Sequence, residues 1–231
     1  MSNWGIQLPD FPWDLLEPFK KVASGHPDGI IDLSVGTPVD PTPDVIQSAL
    51  KAASDSPNYP TTIGLPEFRQ AEVDWLHNEH QVDGLDLDSV IPSIGSKEIV
   101  AWLPRHLGIG AGDVIALPKT AYPTYEIGGL LAGAETVLAD DAIELESAFE
   151  NAQAVGKKLR MAWINSPSNP TGAVKSVAEL QALVQWGRSR GVLLVSDECY
   201  IDLGWDVTPI SLLHREVSGG DAYGLLVVHS L

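Results

Sequence analysis

An aspartate that closes a very apolar run is the residue of this chain most in need of a partner. Val192-Leu193-Leu194-Val195 leads directly into Ser196-Asp197-Glu198-Cys199-Tyr200. A carboxylate at the end of a buried strand is costly unless a cation or hydrogen-bond donors meet it. No lysine or arginine lies close to Asp197 in the sequence, so a positive group from elsewhere is expected. The plainer use is an N-cap for the next turn. A second polar loop, Asn165-Ser166-Pro167-Ser168-Asn169-Pro170-Thr171-Gly172, follows the apolar run Met161–Ile164. Its asparagines, prolines and glycine make it rigid and polar where a simple turn needs neither. A third, Ser93-Ile94-Gly95-Ser96-Lys97-Glu98, opens a helical pattern. Free backbone N–H groups at such a start suit a phosphate, and an ordinary N-cap at Ser96 is the alternative. A fourth, Ala121-Tyr122-Pro123-Thr124-Tyr125, offers Tyr122 as a face for a flat ring, or simply as a packed aromatic.

The elements that must carry these loops are legible as alternating patterns. Strands are predicted at Ile30–Val35, Val114–Leu117, Thr136–Ala139, Met161–Ile164, Val192–Ser196 and Leu225–His229, all short and apolar enough to be buried on both faces. Helices are predicted at Asp44–Ala53, Pro66–Glu79, Lys97–Leu107, Tyr125–Ala132, Leu145–Ala154 and Val177–Arg190. Strands alternating with helices predict an α/β fold, a mostly parallel sheet with helices on both faces. Ligand groups then gather in the loops at the carboxyl ends of the strands. Before Ile30 lie Trp4, Phe11, Trp13 and Phe19 among several prolines, which reads as an extended arm with a short helix. The expected division is therefore an arm at 1–29 and a ligand-binding domain at 30–231.

Other chemistries lack support. The run Gly108-Ile109-Gly110-Ala111-Gly112 follows a helical pattern and precedes a strand, the reverse of the order a dinucleotide fingerprint requires. It reads as a helix end and turn. Asp83, Asp86 and Asp88 are not followed by a calcium-loop ligand series and read as a solvated turn. The six histidines are scattered, and neither HExxH nor GxSxG occurs. The single cysteine, Cys199, excludes an internal disulfide and a CxxC site, and is expected to be structural. Fourteen basic against 31 acidic residues give a net charge of −17, which disfavours nucleic acid and acidic membrane surfaces as partners. The opening Met1–Asp10 lacks a basic flank and an apolar core, and no run is long enough to span a membrane. A cytoplasmic location is the expectation.

Taken together the loops resemble fold type I, aspartate-aminotransferase-like pyridoxal-phosphate enzymes, the class I/II aminotransferases. The resemblance rests on Asn169-Pro170-Thr171-Gly172, Asp197-x-x-Tyr200, Gly95-Ser96-Lys97 and His229-Ser230-Leu231, and runs from about Ile30 onward. The stretches Leu33–Pro41, Asn165–Gly172, Asp197–Tyr200 and Leu203-Gly204-Trp205-Asp206 are similar to actinobacterial N-succinyldiaminopimelate aminotransferases. The resemblance implies pyridoxal 5'-phosphate as cofactor and specific roles. Asp197 would pair with the pyridine nitrogen, Asn169 and Tyr200 with the phenolic oxygen, and Tyr122 would stack on the ring. Gly95, Ser96, Lys97 and Ser230 would hold the phosphate. Tyr59, in Tyr59-Pro60-Thr61-Thr62-Ile63-Gly64, would reach a partner subunit's phosphate in a homodimer, and Gly36 would lie beside the substrate carboxylate. The implied reaction moves an amino group between glutamate and a 2-oxo acid, N-succinyl-2-amino-6-oxopimelate in the suspected branch, a step of lysine and diaminopimelate biosynthesis. Lyases and decarboxylases share the scaffold, and an inert cofactor-binding fragment is the non-enzymatic alternative. The family motif Ser-x-Ser-Lys would put the lysine that carries the cofactor two positions beyond Leu231, and Lys97 and Lys119 do not replace it. The implied enzyme is thus a longer protein with a small C-terminal domain and arginines for phosphate and substrate.

Overall fold

The computed structural model describes residues 5–36 and 38–230. Trp4, Thr37 and Leu231, each part of a stretch singled out above, lie outside the described residues. The chain forms two compact units, one up to Pro60 and one from Thr61 onward. This boundary differs from the expected division into an arm at 1–29 and a domain at 30–231.

In the first unit a 3-10 turn at Pro12–Leu16 runs into helix α1 (Glu17–Ala23), and α2 spans Asp44–Ala52. The strand predicted at Ile30–Val35 does not form. Asp32 Oδ1 accepts hydrogen bonds from both the Ser34 N–H and the Ser34 hydroxyl. This local turn takes backbone groups that a ladder would need. Lys20 pairs with the same carboxylate at 2.9 Å, and Ile31 and Leu33 are each 88% exposed. An apolar composition alone was the signal there, and it did not specify a neighbour.

The second unit begins with α3 (Pro66–His80) and α4 (Ser96–His106). Strands and helices then alternate: β1 (Asp113–Leu117), α5 (Thr124–Ala132), β2 (Glu135–Leu138), α6 (Ala142–Ala154), β3 (Lys158–Asn165), α7 (Val177–Arg190), β4 (Leu193–Asp197), α8 (Arg215–Ser218) and β5 (Leu225–Val228). The five strands are all parallel, in the order β2-β1-β3-β4-β5. Alternate side chains serve opposite faces. Val114, Ala116, Ala162, Ile164 and Leu194 pack with α6 and α7, while Ile115, Leu117, Met161, Trp163 and Val195 pack with α4 and α5. The helices start on local chemistry: Asp141 accepts from the amides of Ile143 and Glu144, and Ser176 and Glu179 form a reciprocal cap on α7. Gly108 and Gly112 adopt positive φ between α4 and β1, in the helix-end turn expected of them. Asp86 caps a short 3-10 turn and Asp83 meets His77 and Arg215.

Two consequences matter for a site. Strand order reverses between β1 and β3, so the loops after these strands diverge and leave a crevice. And α4 and α5 approach closely at Gly128, where a Cβ would lie 2.8 Å from the Val100 carbonyl oxygen. Gly128→Ala is therefore expected to cost about 1–3 kcal/mol through overpacking, read as a lower urea midpoint with an unchanged slope.

Candidate active site

Asp197 is the last residue of β4, beside Asn165 in β3, to which it is register-paired. The residue is 7% exposed. Oδ2 accepts a 2.7 Å hydrogen bond from the Tyr125 hydroxyl, and Oδ1 a 3.3 Å bond from the Cys199 amide. Both donors are neutral. A buried carboxylate held this way retains acceptor capacity for a cationic N–H, so the residues present fit a protonated ring nitrogen. Burial pushes the Tyr125 phenol far above its ordinary value, with the Asp197 charge adding to it. Burial, then Asp197, pushes the Cys199 thiol up to about 12. The upward shift keeps Cys199 a protonated thiol, and the Ser96 side chain, at the start of α4, acts on it in the opposite sense. The start of α4 therefore stands near the end of β4.

Tyr125 was legible only as the start of a helix. It stands one helical turn after Tyr122, packs nearly flat on Trp163 at 4.9 Å, and meets Tyr122 edge-on at 6.1 Å. Tyr122 is half-buried. Tyr125→Phe should keep this packing and remove only the bond to a buried charge. A loss of about 1.5–3 kcal/mol is expected, measured by urea unfolding.

The loop after β3 is organised by Asn165. Its side-chain nitrogen donates to the backbone oxygens of Asp197, at 2.9 Å, and Pro167, at 3.1 Å, while its oxygen accepts the Asn169 amide at 2.7 Å. Asn165 thereby ties the Asn169 loop to the Asp197 strand end. Asn169 and Tyr200 line one cleft of about 590 Å³, with Leu203, Trp205 and Asp206 on its walls. Gly95, the N-cap of α4, has φ 131° and ψ 144°, a conformation natural to glycine, and no atom within 4 Å of where a Cβ would stand. Ser96 and Lys97 are the first two residues of α4, and Ser230 is exposed just beyond β5. Asp197, Asn169, Tyr200, Tyr122, Ser96 and Ser230 thus all stand at the carboxyl ends of strands or at a helix start within the second unit. Gly36 and Tyr59 belong to the first unit, where Tyr59 is 99% exposed.

A second cluster was not anticipated. His229 Nδ1 lies 3.1 Å from Glu72 Oε1, and Nε2 lies 3.1 Å from Glu198 Oε2. Burial alone would lower the imidazole pKa, but the hydrogen bonds to Glu198 and Glu72 outweigh it and hold it up to about 9. Among the described residues no helix is long and apolar enough to cross a membrane.

Residues 28–231 match the family described as aminotransferase class I and II. The 4-dedimethylamino-4-oxo-anhydrotetracycline transaminase of Streptomyces rimosus is 49% identical over 97% of this chain and 60% of its own length. Of solved structures, the aminotransferase AspB of Helicobacter pylori superposes with a TM-score of 0.84 at 26% identity, over 98% of this chain and 61% of that one. The N-succinyldiaminopimelate aminotransferase of Mycobacterium tuberculosis gives 0.73 at 27% identity, over 86% and 52%. The chain spans about half to three fifths of the length of these proteins.

Proposed function

This chain belongs to the class I and II aminotransferase family, and from that membership we propose that the protein it forms is a pyridoxal 5'-phosphate-dependent aminotransferase. The observation that carries the proposal is the buried Asp197 carboxylate, met by neutral donors at the end of a parallel strand. The cofactor, when bound, supplies an electron sink for the charge left as the substrate carbon loses its proton. Asp197 would hold the proton on the ring nitrogen, and Tyr125 and the Cys199 amide hold Asp197. Asn169 and Tyr200 would donate to the phenolic oxygen, with Asn165 setting the Asn169 loop. Tyr122 would cover one ring face and exclude water there. Gly95, Ser96, Lys97 and the Ser230 hydroxyl would receive the phosphate, where the start of α4 favours negative charge.

The remaining assignments extend this reading. Tyr59 would serve a partner subunit in a homodimer, Gly36 would lie beside the substrate carboxylate, and residues 1–29 would form an arm on a cofactor domain running from 30 to 231. A cytoplasmic enzyme acting on small amino and oxo acids follows from the same family. For the amino acceptor we favour N-succinyl-2-amino-6-oxopimelate with glutamate as donor, supported by the motif stretches from Leu33 to Asp206 and by the likeness to the mycobacterial N-succinyldiaminopimelate aminotransferase. A ketone on a polycyclic ring is the second reading, supported by the 49% identical Streptomyces relative.

The deciding assay supplies the full-length protein with glutamate and each acceptor in turn and measures 2-oxoglutarate. Its formation in step with consumption of the succinylated oxo acid is expected. Transfer only to the tetracyclic ketone would move the protein to the second reading. Release of carbon dioxide or ammonia without 2-oxoglutarate would make it a lyase or decarboxylase on the same scaffold.

A further inference from the structure

The chemistry above leaves His229 without a task, yet few side chains here are held so completely. Both ring nitrogens face carboxylates, Glu72 from α3 and Glu198 from the end of β4. A ring with two acceptors satisfies both only by donating from both nitrogens. Glu198 is 1% exposed, and its other oxygen accepts the Leu212 amide at 2.7 Å. Trp75 presents its ring edge-on to His229 at 5.0 Å and to His80 at 4.4 Å, and His80 faces Asp202 at 3.3 Å. One imidazole therefore ties the middle of α3 to the carboxyl ends of β4 and β5.

The neighbours in sequence give this tie its direction. His229 immediately precedes Ser230, and Glu198 immediately follows Asp197. The backbone agrees: Asp197 is register-paired with Val228, and the Glu198 amide donates to the Val228 carbonyl at 2.9 Å. Adjacent side chains leave a strand on opposite sides. Asp197 turns to Tyr125, while Glu198 turns to His229. A packed histidine needing only its own satisfaction would require one acceptor and a solvent-facing nitrogen. Two acceptors, on separate elements, also set its orientation and its height above the sheet.

We propose that His229, clasped between the carboxylates of Glu72 and Glu198, is a positioning residue that fixes Ser230 for the cofactor's phosphate. The inference rests on the cofactor reading above. It adds that the phosphate end of the site is aligned from behind, by groups that touch neither cofactor nor substrate.

The test uses the full-length protein freed of cofactor and titrated separately with pyridoxal 5'-phosphate and with pyridoxal, which lacks the phosphate, followed by tryptophan fluorescence. His229→Gln should weaken pyridoxal 5'-phosphate about tenfold, the effect of one lost hydrogen bond to a charged group, and leave pyridoxal within about twofold. Glu72→Gln, on the partly exposed side of the clasp, should show a smaller loss with the same selectivity. Ser230→Ala should match His229→Gln, and the double variant should be no weaker than either, because both act through one hydroxyl. If Ser230→Ala loses the preference for the phosphorylated form while His229→Gln and Glu72→Gln keep it, the positioning role is wrong. If His229→Gln does not fold, Glu72→Gln decides. Should the unmodified protein bind neither compound, the cofactor reading itself fails, a result distinct from both.

Discussion

Asp197→Ala in the full-length protein will lower the rate of amino transfer by about 10²–10³-fold, the cost typical of removing one preorganised electrostatic partner from a site. The carboxylate is buried, so its charge acts through little water, and no other acid in β4 can take its place, since Glu198 points to His229. The substitution also strands the Tyr125 hydroxyl in the core, at a cost of about 1–3 kcal/mol. The two effects are separable. Combining Asp197→Ala with Tyr125→Phe should recover most of the lost stability and none of the lost rate. Single-turnover kinetics and urea unfolding on the same four proteins decide the matter, and a near-normal rate in Asp197→Ala would remove this residue from the mechanism.

Glu198→Ala should be strongly destabilising at neutral pH, by about 2–4 kcal/mol, because it takes from a buried charge one of its two partners and leaves only Glu72. It also strands the Leu212 amide. The pH dependence follows from the imidazole. Its folded pKa, about 9, stands above the ordinary 6.5, so the folded state binds the proton more tightly than the unfolded one. The resulting stabilisation is fully present below about pH 6.5 and is lost as pH rises through about 9. The wild-type protein should lose up to about 3 kcal/mol across that window, and Glu198→Ala should show a much flatter profile. Urea midpoints at pH 6, 7.5 and 9.5 measure both slopes. A flat wild-type profile would mean the ring is already neutral at pH 6.

What the sequence made legible follows from the range of the interactions concerned. Strands β1, β3 and β4 were readable because each is a short apolar run bounded by turn residues, and the helices because their apolar residues recur at helical spacing; the Ser176–Glu179 cap that starts α7 is equally local. Asp197 was readable because an acid after Val192–Val195 is conspicuous without any knowledge of the fold. Its partner was not: Tyr125 lies 72 positions away, and only the one-turn spacing from Tyr122 hints that both face the sheet. His229 and Glu72 are 157 positions apart, and nothing in either neighbourhood announces the other. The predicted strand at Ile30–Val35 failed for the opposite reason. Composition favoured it, while the Asp32–Ser34 turn and the lack of a pairing edge did not.

The adjacent acids that end β4 make the protein unusually sensitive to length rather than to composition. Inserting or deleting one residue between Leu193 and Ser196 would turn every following side chain to the other side of the sheet. After a deletion, glutamate would arrive where the ring nitrogen is expected, one methylene too long, and Cys199 would replace the acid beside the imidazole; after an insertion, Ser196 would stand there and the shorter Asp197 would face the imidazole. Variants of this strand should therefore tolerate exchanges among valine, leucine and isoleucine far better than any change in count.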